Sequence, residues 1–193
     1  MLAFILLALL SFEDKIQSTA VHLISESTEC SGTIIDATHI LTARHCIGED
    51  PFLRAEVGGP TVVCHGLEAT RVSKTQDLAL IEIKDCGALV VATLADSPMA
   101  RGDSFTIIGL SYDVPWALAR GFVMSPGLVR IECEKHKFQD VALFCQGCDE
   151  GDSGSGVFNN KGELAGVFVA ASQNNVRAYM VPLKDVKAFL HGN

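Results

Sequence analysis

No cluster of lysine and arginine occurs anywhere in the 193 residues, and acidic side chains outnumber basic ones 23 to 15, for a formal net charge of -8. Without a basic stretch to supply phosphate contacts, nucleic acid and acidic membrane surfaces are not expected partners. No apolar run reaches bilayer length: the opening Leu2–Leu10 is too short to cross as a helix, so no stable membrane insertion is expected. There is no internal repeat, low-complexity tract or charge block, which argues against solenoids, fibres and disordered tails. What remains is a chain that is 48% hydrophobic and long enough to bury a substantial core as one unit.

Leu2–Leu10 lies at the extreme N-terminus and is followed at once by the polar Ser11-Phe12-Glu13-Asp14-Lys15. It matches the hydrophobic region of a secretory signal peptide, although no Lys or Arg precedes it. We expect residues 1–12 to be the signal and 13–193 one domain; a cut after Ser18-Thr19-Ala20 would instead trim the first strand. All seven cysteines lie downstream, more than a reduced cytosolic protein ordinarily carries. A secreted destination, extracellular or periplasmic, follows as an expectation, and the odd count leaves one cysteine over.

Short apolar runs punctuated by Gly, Asp, Asn or Pro recur along the chain: Ala20–Ile24, Gly32–Thr42, Val62–Leu67, Leu78–Ile83, Phe105–Leu110, Gly121–Ser125, Leu128–Cys133, Val141–Cys145, Gly156–Asn159, Leu164–Ala170 and Ala178–Val181. They are strand-length and rich in Val, Ile, Leu and Phe, which predicts an all-β barrel or sandwich. Only Pro182–His191 reads as a helix, with Leu183, Val186, Phe189 and Leu190 at helical spacing behind a proline. The softest boundary is Cys86–Arg101, where Ala, Ser, Pro and Gly accumulate and a crossover between halves is expected.

Three stretches carry chemistry. In Gly151-Asp152-Ser153-Gly154-Ser155-Gly156, glycines flank a serine and permit a tight turn that exposes a hydroxyl beside backbone amides. A serine hydroxyl needs an adjacent base, and His45, in Leu41-Thr42-Ala43-Arg44-His45-Cys46 at a strand end, supplies one. The base needs a carboxylate to fix its tautomer, and Asp77 opens the apolar strand Leu78–Ile83. Read singly, each has a plainer explanation: a Gly/Ser loop, a surface histidine beside a disulfide, a turn aspartate. The remaining histidines, His22, His39, His65, His136 and His191, read as solvated or structural.

Taken together the three stretches resemble the chymotrypsin-like serine proteases. Thr42-Ala43-Arg44-His45-Cys46 is similar to that family's Thr-Ala-Ala-His-Cys box, Asp77-Leu78-Ala79-Leu80 to its Asp-Ile-Ala-Leu strand, and Gly151–Gly154 to its Gly-Asp-Ser-Gly signature. The order His, Asp, Ser is also the family's. Ser153–Asn159 and Glu163–Val167 are closest in detail to glutamyl endopeptidases and high-temperature-requirement proteases. Arg44, where the family has a small residue, is a departure without explanation.

The resemblance implies two packed six-stranded antiparallel β-barrels, the first at about 18–90 and the second at about 100–181, with a C-terminal helix at about 182–191. It implies hydrolysis of peptide bonds through an acyl-enzyme, with His45, Asp77 and Ser153 catalytic and the amides of Gly151 and Ser153 as oxyanion hole. It puts Gly147, Phe168, Val169 and Ala171 at the specificity pocket. Gly147 stands where an aspartate gives trypsin its taste for Arg and Lys, so an uncharged residue before the scissile bond is expected, although Asp149 and Glu150 border the pocket and would favour basic ones. No Arg/Lys-Ile-Val-Gly-Gly activation site is present, so activity without propeptide cleavage, or a different activation, is expected.

Cys30 with Cys46 matches the family's disulfide beside the histidine; Cys64 with Cys86, and Cys133 with Cys145 or Cys148, are pairings suggested by position. A rival use exists for the last group, since Cys133, His136, Cys145 and Cys148 have the types and spacing of a structural Cys₃His zinc site. No cofactor is expected for the reaction, and a monomer acting on protein or peptide substrates is expected. The competing reading of the whole is a binding module that keeps the barrels without turning over substrate.

Overall fold

Val21 and Leu23 share one side of Ala20–Ile24, and so short an alternation buries its apolar side only against other strands. The structure, a computed structural model, describes residues 11–59, 62–111, 114–133, 136–172 and 176–192, with the backbone alone at 128–133, 136–140 and 150. Strands β1 (Ala20–Ile24), β2 (Glu29–Ile34), β3 (His39–Thr42), β4 (Arg54–Val57), β5 (Val63–Val72) and β6 (Ala79–Lys84) close into a barrel in the order β1-β2-β3-β6-β5-β4. Leu23, Ile34, Ile40, Leu41, Ile81 and Ile83 fill it at 2% exposure or less; each such side chain contributes about 1.5–3 kcal/mol.

Strands β7 (Ser104–Ser111), β8 (Val114–Cys133), β9 (His136–Gln146), β10 (Gly156–Phe158), β11 (Leu164–Ala171) and β12 (Arg177–Pro182) close a second barrel in the order β10-β11-β12-β9-β8-β7. Its core includes Ile107, Val123, Leu143, Val157, Phe168 and Met180. All pairings in both barrels are antiparallel. The expected fold class is the observed one.

Three strand details differ from the sequence reading, and so does a helix at Phe12–Gln17, set by the Ser11 capping box, where only Pro182–His191 was expected to be helical. Gly32–Thr42 is two strands, because the Asp36 carboxylate accepts the Thr38 amide at 2.8 Å and turns the chain. Gly121–Ser125 and Leu128–Cys133 are one strand, β8, which runs through Pro126-Gly127 with register shifts on both sides of Ser125. Strand β4 was not anticipated, since only Ala55 and Val57 mark its inner face.

The segment between the barrels is stitched to both. Ala92 N–H donates to Ile34 of β2, while Thr93 and Ala95 exchange bonds with Leu164 of β11. Helix α1 (Phe12–Gln17), capped by Ser11, buries Ile16; its Gln17 side chain donates to the Gly58 carbonyl of barrel one and its Glu13 pairs with Arg120 of barrel two. The expected signal of residues 1–12 lies outside the described residues as far as position 10, and its last two residues cap and begin this helix. Helix α2 (Leu183–Leu190) starts after Pro182, and Arg71 of barrel one donates to its Phe189 and Leu190 carbonyls. Those are carbonyls a helix end leaves without intrahelical partners.

Disulfides join Cys30 to Cys46, Cys64 to Cys86 and Cys145 to Cys148. The third corrects the expected pairing of Cys133 with Cys145 or Cys148: these two sit three positions apart across a turn at Gly147 and bond to each other. That also takes two thiolates from the zinc alternative, whose Cys133 and His136 side chains lie outside the described residues. Among the described residues no group of three metal-ligating side chains could hold an ion.

Candidate active site

After β3 the chain leaves the barrel through a 3₁₀ turn, Arg44–Cys46, anchored by the buried disulfide to Cys30. The turn presents His45 to Asp77, which precedes β6 and is 3% exposed. One carboxylate oxygen of Asp77 accepts the His45 backbone N–H at 2.9 Å, and the other lies 2.7 Å from Nδ1. A carboxylate only accepts, so Nδ1 carries the proton and Nε2 keeps its basic lone pair. Asp77 thus holds both the main chain and the ring of one residue, which fixes tautomer and orientation together.

Ser153 follows a 3₁₀ turn, Glu150–Asp152, in barrel two. Gly154 has φ +90°, and any side chain there would strike the Ser31 carbonyl and the Thr42 hydroxyl of barrel one. A side chain on Gly151 would strike the Leu110 carbonyl. The two glycines therefore let the serine loop press directly on its supports. The loop is bonded there as well: Ser153 C=O accepts the Ser31 N–H at 2.8 Å, and the Ser31 hydroxyl donates to Gly151 C=O at 2.9 Å while accepting the Leu110 N–H at 3.1 Å. Thr42 Oγ1 in turn donates to the Ser31 carbonyl at 2.7 Å.

His45, Gly151, Ser153, Val169 and Ala171 line one cleft of about 610 Å³ between the barrels. Residues of both barrels, far apart in the chain, thus converge there. Ala170 lines it too, because a register shift in β11 between Phe168 and Ala170 breaks the strict alternation. Gly147 and Phe168 do not line this cleft. Phe168 is fully buried in the core of barrel two, and its backbone serves the loop, exchanging bonds with Gly154 N–H and Ser155 C=O. Phe168 is therefore a support for the serine loop, not a wall of the cleft.

Asp152, fully buried beside the serine, is the second aspartate of the site. Its Oδ2 accepts the Ser111 hydroxyl at 2.6 Å and the Asp149 N–H at 2.9 Å, whereas its Oδ1 is buried with no hydrogen-bond partner among the described residues. Burial pushes its carboxyl up to about 6, against the two donors, which favour the charged form. Ser31, Thr42 and Ser111 escaped sequence reasoning. Their bonds span 11 residues for Thr42, 41 for Ser111 and 120 for Ser31 to Gly151, and no local pattern encodes such partners.

Residues 30–167 match the model of the trypsin-like peptidase domain family. The chain belongs to that family. Its trypsin-like peptidase domain is 40% identical over 58 residues to an uncharacterized peptidase of Corynebacterium glutamicum (strain R); that match covers 30% of this chain and 21% of the relative. The fold is that of the Rv3671c protease from M. tuberculosis. Its active form superposes with a TM-score of 0.80 at 13% identity, over 93% of this chain and 82% of that one. An inactive form superposes with 0.77 at 13% identity, over 93% and 91%. Among the described residues no helix of the trypsin-like domain is long and apolar enough to cross a membrane.

Proposed function

We propose that this chain is a serine endopeptidase working outside the reducing cytosol, with Ser153 as nucleophile, His45 as general base and Asp77 orienting the base. The observation that carries the reading is the double hold of Asp77 on His45 in a cleft that His45 shares with Ser153. His45 Nε2 takes the proton of Ser153 as the hydroxyl oxygen bonds to the peptide carbonyl carbon; the same proton then passes to the departing amine, leaving an acyl-enzyme. Water, deprotonated by His45, releases the acid and restores the serine. Asp77 stays ionised throughout and stabilises the imidazolium.

The amides of Gly151 and Ser153 serve as oxyanion hole, held in place by the Ser31 clamp; one such donor is worth about 3 kcal/mol of transition-state stabilisation. The segment Val169–Ala171 accompanies the acyl side of a protein or peptide substrate. Three disulfides support an oxidising location. The test is labelling with a serine-directed organophosphonate: wild-type protein acquires one adduct at Ser153, and Ser153→Ala acquires none. Folded wild-type protein that takes no label ends the enzymatic reading.

A further inference from the structure

Among the described residues, one ionisable side chain besides His45 lines the cleft: Glu29, at the start of β2 beside Thr28 and Cys30. It lies on barrel one, across the cleft from Val169–Ala171. Its position is fixed from behind. Glu29 Oε2 lies 2.8 Å from Nε2 of His22, whose side chain is 8% exposed and meets the edge of Trp116 with ring centroids 6.4 Å apart. His22 Nδ1 is buried and makes no hydrogen bond among the described residues, so the ring's side-chain hydrogen bond is the one to Glu29. That single hydrogen bond holds one oxygen of the Glu29 carboxylate and leaves the other open.

The neighbouring charges leave Glu29 available. Glu56, 3.9 Å from His22 Nδ1, is engaged by Arg54 at 3.0 Å, so that guanidinium is committed to another carboxylate. The Glu29 side chain is 53% exposed toward the cleft, and its Oε1 accepts no hydrogen bond among the described residues. A carboxylate already held in place costs little entropy when it binds a cation, and the overall charge of -8 draws cationic peptides toward it.

We infer that Glu29 is a specificity determinant: it selects substrates with Lys or Arg among the first residues on the leaving-group side of the scissile bond. This rests on the proposed protease reading, which assigns Val169–Ala171 to the acyl side and so leaves the Glu29 side to the amine product. It concerns a different part of the substrate from the residue before the scissile bond. An exposed or half-exposed charge pair supports a preference of about two- to fivefold, weakened by salt.

The experiment compares internally quenched peptides identical but for Arg, Gln or Glu at the first three positions after the cut, assayed with wild type, Glu29→Gln and Glu29→Arg. The readout is the ratio of kcat/KM between Arg and Gln peptides, so any general loss of activity in a variant cancels. We expect a ratio of about two to five for wild type that shrinks as salt rises, about one for Glu29→Gln, and a swing toward Glu peptides for Glu29→Arg. A wild-type ratio near one, or a ratio unchanged in Glu29→Gln, overturns the inference. Phosphonate labelling of wild type separates the failures: labelled protein without the charge preference sinks the subsite alone, and unlabelled, inactive protein sinks the protease reading and the subsite with it.

Discussion

Two buried aspartates stand on opposite sides of the cleft, and they are treated in opposite ways. Asp77 in barrel one spreads its charge over two donors, one to each oxygen, both from His45. Asp152 in barrel two takes both of its donors on one oxygen and leaves the other buried and empty. The first arrangement is that of a carboxylate kept to stabilise a nearby positive charge. The second is a structural strut, bracing the turn before the serine at the expense of an awkwardly solvated group. Full burial is common to both; what separates them is how the lone pairs are used.

The largest effect is expected at Asp77. Asp77→Asn keeps the shape but offers an amide to the ring nitrogen and so selects the wrong tautomer; kcat should fall by about four orders of magnitude with a far smaller change in KM. A loss below tenfold, measured on a peptide substrate, would show that Asp77 is no more than a structural partner of its turn.

Asp152 carries the next effect, and its sign follows from the raised carboxyl. The folded protein holds this proton more tightly than the unfolded chain, so stability is lost as pH rises from about 4, the ordinary aspartate value, through about 6. Above that window the group is ionised in both states and the full penalty, about 3 kcal/mol, is present. Asp152→Asn removes it, since the amide oxygen can accept from Ser111 and Asp149. Urea unfolding should therefore show the variant gaining on wild type by about 3 kcal/mol between pH 4 and pH 7, and a pH-independent difference would refute the assignment.

The smallest contrast concerns the staples of the two barrels. Cys30–Cys46 closes a separation of 16 residues and Cys145–Cys148 one of 3. Chain entropy then gives about 3 kcal/mol for the first and about 1.5 kcal/mol for the second. Replacing each pair by alanine and comparing unfolding midpoints tests this; equal losses would mean that strain or contacts outweigh loop closure.

Much of this was legible in the chain because local patterns encode it. Val21 and Leu23 announce a strand, Leu183, Val186 and Phe189 a helix, and the glycines around Ser153 a tight loop. The Asp36 turn was missed because the apolar run around it looked continuous, and β4 because two apolar residues are too few to register. The cleft was harder. His45, Asp77 and Ser153 were proposed by type and order, and His45 meets Asp77 and shares a cleft with Ser153, whereas the supports Ser31 and Thr42 look like any hydroxyl residues in a strand. Phe168, placed at the specificity pocket by the resemblance, is buried in the core of barrel two, on the opposite side of β11 from Val169 and Ala171 by simple strand alternation. His22 was read as solvated or structural, and it is structural; the carboxylate it holds became visible only once β1 and β2 were paired.

The seating of the Ser153 carbonyl on Ser31 makes the site a joint product of the two halves. A growing polypeptide that has completed only its first barrel holds the histidine and the aspartate yet has nothing for them to act with, and the second barrel alone lacks the ledge on which its serine loop rests. On the proposed reading, hydrolytic power therefore arrives last, when both barrels have closed on one another.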